Sequence, residues 1–311
     1  MKINTFTMAL AGLFLASCSS QVMKNSLNYP KNKKVEHTDE YFGTKVADPY
    51  RWLEDDRAED TKDWVQREVA FTQNYLNQIP FREEIRAQLK NIWNYEKISA
   101  PFKEGDYTYF YKNDGLQAQS VLYRTDKNGN TEVFLDPNKF SEKGTTSMSG
   151  LSFNKKGTLA AYNISEGGSD WQKIVIINAI TKEKIDETIT DVKFSGATWL
   201  GDEGFFYSTY GKVQGSELSV KTDMHKVYFH KLGTKQSEDK HIIGDENFKR
   251  RYMNIGVSDD ERFLILSAAT ATNGNELYVK DLKNNTDWKT NKKGFDYNTD
   301  VLDTKGDFIY I

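Results

Sequence analysis

Apolar side chains recur every three or four residues from Asp60 to Ile79: Val65, Val69, Thr72, Leu76 and Ile79, widened by Trp64, Ala70, Phe71 and Tyr75. That spacing predicts an amphipathic helix, with Asp60 or Thr61 available as its cap and Pro80 to end it. Ile85, Leu89 and Ile92 predict a second helix, and Asp48-Pro49 before Tyr50 predicts a turn. After Ser99 the period changes from helical to two, as in Tyr107-Thr108-Tyr109-Phe110-Tyr111. Turn signals follow at Gly105, Gly157, Gly204, Glu261 and Gly306, spaced 52, 47, 57 and 45 residues apart. A second strand signature starts at Leu122, Val175, Tyr228 and Tyr278, spaced 53, 53 and 50.

Two interleaved signatures with a common period near 50 residues indicate a repeat. Four short strands per repeat make the blade of a β-propeller; the competing architecture is a β-sandwich, whose strand spacing is less regular. The chain is therefore expected to be mostly β, with an N-terminal helical segment over residues 19–98 and a partial propeller over 99–311. Four blades fit between residues 100 and 300 and a fifth begins at Thr304. The strand pattern Asp307–Ile311 runs to the last residue, which reads as the N-terminal piece of a longer protein, because an unclosed ring leaves open sheet edges.

Composition narrows the function classes. Charged residues number 42 basic and 45 acidic in 311, a net charge of −3, so no basic excess points to a nucleic-acid partner. The single cysteine, Cys18, excludes an internal disulfide. The four histidines (His37, His225, His230 and His241) lack metal-ligand spacing, and no metal or cofactor is expected. Residues 1–18 carry Lys2, an apolar run Leu10–Ala16, and then Ser17-Cys18. The run is too short for a permanent membrane span and reads as an export signal. Leu15-Ala16-Ser17-Cys18 resembles a bacterial lipobox, in which the cysteine becomes the lipidated first residue; Ser19, Ser20 and Gln21 then form a polar tether. The alternative is an ordinary secretory signal cut between Ala16 and Ser19. Either way the protein is expected outside the cytoplasm, in the periplasm or anchored to a membrane through Cys18, and otherwise monomeric.

Catalytic signatures are missing. No Gly-x-Ser-x-Gly elbow occurs, and Ser152 in Gly150-Leu151-Ser152-Phe153 lacks the second glycine. Gly167-Gly168-Ser169-Asp170 reads as a turn, not a nucleotide-binding loop. His225 and His230 read as half-buried sheet residues. The acidic residues Glu54, Asp55, Asp56, Glu59 and Asp60 lack calcium-loop spacing and suit a helix start.

An ordered string of motifs supplies what the elements alone do not. Asp48-Pro49-Tyr50-Arg51-Trp52-Leu53-Glu54-Asp55 and Glu59-Asp60-Thr61-Lys62-Asp63-Trp64-Val65 come first. Leu135-Asp136-Pro137-Asn138, Glu166-Gly167-Gly168-Ser169-Asp170-Trp171 and Val192-Lys193-Phe194-Ser195-Gly196 follow, then Trp199–Tyr207 and Leu232–Ser237. Over about residues 30–311 this string resembles the prolyl oligopeptidase family, most nearly its exported bacterial members. The opening differs after Trp-Leu from the sister class, oligopeptidase B, which cuts after basic residues.

The resemblance implies an α/β-hydrolase domain that begins in the N-terminal helices and a seven-bladed propeller, of which about four and a half blades fall here. It implies a Ser-Asp-His triad beyond Ile311, cleavage of short peptides after proline, and a propeller that limits access. It also implies three cavity-facing residues. Phe194 would wall the site of the substrate residue two before proline, Asp170 would set charge near the substrate's N-terminal side, and Met253 matches less well. Their alternatives are a core aromatic for Phe194 and a turn carboxylate for Asp170. The loop Ala269–Asn273 lacks the Arg and Cys that some members carry. A reading of a different class is a stand-alone surface propeller that binds a partner without catalysis.

Overall fold

A computed structural model describes residues 27–211, 220 and 222–311; the signal segment and Cys18 lie outside the described residues. Packing divides the described chain into two compact units, residues 27–52 with 59–78, and residues 53–58 with 79–311.

In the first unit, β1 (Thr38–Tyr41) and β2 (Thr44–Ala47) form a hairpin and α1 spans Glu59–Leu76. The helix starts one residue before the expected Asp60 and stops short of Ile79. Its expected caps have other partners: the buried Thr61 hydroxyl donates to the Trp52 carbonyl (3.3 Å) and Asp60 pairs with Lys33. The extended segment before β1 is held on α1 by Trp64 Nε1 donating to Asn32 Oδ1 (2.8 Å) and by Tyr29 against Phe71 (4.9 Å).

The second unit opens with α2 (Arg82–Trp93), the helix foreseen from Ile85, Leu89 and Ile92. Those three side chains and Trp93 are exposed, an apolar stripe along one helix face. Four antiparallel blades follow in chain order. The first contains β3 (Lys97–Ile98), β4 (Phe102–Glu104), β5 (Tyr107–Asn113), β6 (Val121–Thr125) and β7 (Thr131–Leu135). The second contains β8 (Thr146–Phe153), β9 (Leu159–Glu166), β10 (Trp171–Asn178) and β11 (Ile189–Lys193). The third contains β12 (Thr198–Leu200), β13 (Gly204–Thr209), β14 (Lys226–Lys231) and β15 (Lys240–Ile243). The fourth contains β16 (Tyr252–Val257), β17 (Phe263–Ala269), β18 (Asn275–Asp281) and β19 (Lys289–Lys292). A final hairpin joins β20 (Asp303–Lys305) to β21 (Phe308–Tyr310). All four foreseen second-signature strands are present. The blades are less uniform than the spacing suggested: the first has a fifth strand, and a single pair, Val192 with Thr209, joins the second and third into one sheet.

Three apolar clusters form between successive blades. Tyr109 and Leu122 of the first blade meet Ala160, Tyr162 and Ile177 of the second. Ile174, Ile176 and Ile189 of the second meet Trp199, Phe205 and Tyr207 of the third. Phe206 and Val227 of the third meet Met253, Leu264 and Leu266 of the fourth. Neighbouring residues on one strand therefore serve opposite interfaces: Ala160 and Ala161, Ile176 and Ile177, Phe205 and Phe206. Burial on both faces explains the short apolar runs Val175–Ile177 and Phe205–Tyr207 in the middle blades.

Two of the turn glycines have distinct reasons. Gly105 and Gly157, both left-handed, meet across neighbouring blades, and a Cβ on Gly157 would lie 2.4 Å from the Gly105 amide nitrogen. Gly204 is not the turn residue expected: Gly201 takes the left-handed position, while Gly204 starts β13 so close to β14 that a Cβ would lie 2.0 Å from the His230 carbonyl oxygen.

Arg124 links the first two blades. Its buried guanidinium donates to the carbonyls of Ala179 and Ile180, pairs with Glu132 and lies 4.2 Å from the centre of the Tyr107 ring. Charge-assisted bonds of this kind contribute about 1.5–3 kcal/mol each, so Arg124→Ala should lower stability by about 3 kcal/mol, read as a drop in the urea midpoint at constant slope.

Candidate functional site

The strand β11 pairs with β10 through a register break between Gln172 and Ile174, and the chain leaves it at Phe194 with φ +54°. A left-handed phenylalanine is a strained choice. It turns the ring outward: Phe194 is 49% exposed and is not a core aromatic. Its ring meets Tyr252 edge-on, with centroids 5.5 Å apart. The Lys193 ammonium sits 5.0 Å from the centre of the Trp171 ring and 5.2 Å from that of Phe194, a cation held between two aromatic faces. Phe194 and Tyr252 make one exposed aromatic face built from blades two and four, with Lys193 between Phe194 and the buried Trp171.

Asp170 lies exposed in the β9–β10 turn, immediately before Trp171. The segment forms the expected turn: Gly167 and Gly168 are left-handed, and the Ser169 hydroxyl accepts from the Trp171 amide (3.1 Å). A cleft lined by Ser169, Trp171, Gln172 and Asp191 opens here. Met253 is placed differently from Phe194. Its side chain is 1% exposed in the cluster between blades three and four and is not brought to the aromatic face. Tyr252, one residue earlier and 46% exposed, points the other way along the same strand and supplies the contact with Phe194.

Behind this face lies His225, which is fully buried rather than half-buried. Its Nδ1 accepts from the Met253 amide (2.9 Å), which leaves Nε2–H to donate to the Lys193 carbonyl (3.0 Å). Tyr210 stacks on the ring at 4.5 Å. Burial pulls the imidazole down to about 4, and the Tyr210 phenol is pushed up to about 12, first by burial and then by Tyr252. The neutral imidazole therefore contributes stability above the unfolded value near 6.5 that is lost as pH falls toward 4, about 3 kcal/mol in full. Wild type should lose more stability than His225→Gln between pH 7 and pH 4.5, measured by urea unfolding at each pH.

His230 is also fully buried. Nδ1 meets Asp239 at 2.8 Å and Nε2 meets Asp186 at 3.4 Å. Burial alone would lower its pKa, but the hydrogen bonds and charges of Asp239 and Asp186 raise it on balance. Tyr207 donates to the other oxygen of Asp239 (2.7 Å), and the Gly233 amide to Asp186 (2.7 Å). Neither buried histidine has a serine hydroxyl among these partners, and the Ser152 hydroxyl donates to the Ala197 carbonyl (2.8 Å). Among the described residues no group of three or more His, Cys, Asp or Glu is placed to hold a metal ion. Of the acidic residues before and in α1, Asp55 accepts from the Arg57 amide and Glu59 pairs with Lys62, while Asp60 reaches Lys33. No described helix is long and apolar enough to cross a membrane.

The family described as "Prolyl oligopeptidase, N-terminal beta-propeller domain" matches residues 29–311. The chain belongs to the prolyl oligopeptidase family. Over its whole length it is 67% identical to a prolyl endopeptidase of Elizabethkingia meningoseptica, of which it covers 44%. Prolyl oligopeptidase A of Amanita bisporigera is 31% identical over 97% of this chain and is covered to 45%. Among solved structures, prolyl oligopeptidase B from Galerina marginata, bound to a 35mer hydrolysis and macrocyclization substrate, has a TM-score of 0.75 at 26% identity, over 91% of this chain and 44% of that one. The chain thus spans less than half the length of these relatives. Oligopeptidase B from Leishmania major, at 18% identity and a TM-score of 0.68, shares the fold.

Proposed function

We propose that this chain is the N-terminal part of a serine endopeptidase that cleaves short peptides on the carboxyl side of proline, with the propeller restricting access. The observation that carries the reading is 67% identity over the whole of this chain to a protein named prolyl endopeptidase. Two features of the chain support it. Phe194 and Tyr252 offer an exposed apolar wall suited to a substrate side chain, with Asp170 on the turn leading to Trp171 beneath the same Lys193. The exposed stripe of α2 suits a covering domain, which the full reading frame would supply.

In this reading a serine beyond residue 311 attacks the prolyl carbonyl, a histidine takes its proton, and backbone N–H groups hold the oxyanion. The chain's own residues admit and orient the peptide. The experiment compares the full reading frame with residues 1–311 alone on a Gly-Pro reporter. Turnover by the full protein and none by residues 1–311 is expected. Turnover by residues 1–311 alone places the catalytic groups on this chain and contradicts the reading. Inactivity of both leaves a binding propeller as the better account.

We also infer that the protein is exported and anchored through a lipid on Cys18. Stable anchoring takes two or more acyl chains, each adding about 0.8 kcal/mol per buried CH₂. Cys18→Ala should move the protein from the membrane pellet to the soluble fraction; retention in the pellet removes the anchor.

A further inference from the structure

We propose that His225 is a positioning residue for the peptide-binding face, a buried strut that sets where Phe194 stands relative to Tyr252. The proposal rests on the reading of Phe194 as substrate-facing. One imidazole touches the backbone of both strands that present the face. Its Nε2–H binds the carbonyl of Lys193, whose peptide bond leads directly into Phe194, and its Nδ1 binds the amide of Met253, directly after Tyr252. Phe194 needs such support because it stands in the left-handed region and outside the regular ladder. A bond on the preceding carbonyl fixes the peptide plane on which that φ depends.

The strut reaches across blades. Lys193 ends the second blade, His225 precedes β14 of the third and Met253 lies on β16 of the fourth, so no local bond could replace it. Tyr210 covers the ring and holds its plane, and the Ser208 hydroxyl, donating to the Met253 carbonyl (2.9 Å), holds the same residue of that strand. The groups facing the imidazole are the stacked Tyr210 ring and the backbones of Lys193, Ser208 and Met253; Tyr252 acts on the Tyr210 phenol, and the Lys193 ammonium is turned to the Trp171 and Phe194 rings.

The two bonds can be separated by substitution. The amide of Asn overlays the Nδ1 side of histidine and can keep the Met253 bond alone; that of Gln reaches the Nε2 position and can keep the Lys193 bond. In the full reading frame, His225→Asn should raise KM about tenfold for a peptide with an apolar residue two before proline, with kcat within about twofold. A truncated peptide lacking that residue should be unaffected, and His225→Gln should restore KM for the longer one. Equal KM for His225→Asn and wild type on the longer peptide, or an equal rise on both peptides, overturns the proposal. Should His225→Asn fail to fold, Tyr210→Leu, which leaves both hydrogen bonds, carries the test: it should show the same length-dependent rise in KM, smaller in size, and no rise overturns the proposal. Wild-type protein inactive on both peptides would instead refute the peptidase reading, which the assay reports before any variant is compared.

Discussion

In the full reading frame, Phe194→Ala lowers kcat/KM at least about tenfold for peptides with an apolar residue two before proline, while the melting temperature moves only a few degrees. Exposure decides between the two effects. A pocket contact with an apolar group is worth about 1–3 kcal/mol, or roughly 10- to 200-fold in kcat/KM, whereas truncating a core phenylalanine costs about 3–5 kcal/mol of stability. Half of the Phe194 surface is open, and its contacts are the edge of Tyr252 and the Lys193 ammonium, neither of them in the clusters between blades. Alanine keeps the strained left-handed position, so the backbone change is small. Truncated peptides should be turned over as by wild type. A large melting drop with unchanged kcat/KM would place Phe194 in the structural core and remove it from the binding face.

The largest loss of stability is expected from His230→Ala. The imidazole lies between Asp186 and Asp239, and both carboxylates are themselves largely buried. Removing one partner of a buried charge pair costs about 3–5 kcal/mol, because the charge left behind has no water to replace it. The Tyr207 hydroxyl and the Gly233 amide still donate to the two carboxylates, but neither carries charge. Because its pKa is raised in the folded state, His230 contributes fully below about pH 6.5 and the contribution is lost as pH rises through the folded value, opposite in sign to His225. Asp239→Asn in the His230→Ala background should recover part of the loss in urea unfolding. A stability change below about 1 kcal/mol, or no recovery in the double variant, would show that the site is not held by charge.

Much of this was legible from period alone. The strands around Tyr107, Leu122, Val175, Tyr228 and Tyr278 and both helices appear where alternation or the helical stripe placed them. Phe194 and Asp170, singled out by the motif string, are exposed. The helix caps failed because Thr61 and Asp60 found partners nine and twenty-seven residues away. Met253 and Tyr252 differ by one residue, and in a strand one residue exchanges the buried face for the open one, so the weaker motif match at Met253 could not separate them. The two buried histidines were underestimated for a related reason. Their partners lie 9 to 44 residues away on other elements, and nothing in the flanking residues marks Lys193 and Met253, or Asp186 and Asp239, as sharing one imidazole.

The central claim is cleavage on the carboxyl side of proline. The most direct measurement is the position of the cut. Peptides holding one proline, one lysine and one arginine, incubated with the full reading frame and analysed by mass spectrometry, should be cut at a single bond on the carboxyl side of proline, and should survive when that proline is replaced by alanine. Cleavage after lysine or arginine, or an intact peptide with active-serine labelling absent, would contradict the assignment of this propeller to a proline-specific peptidase.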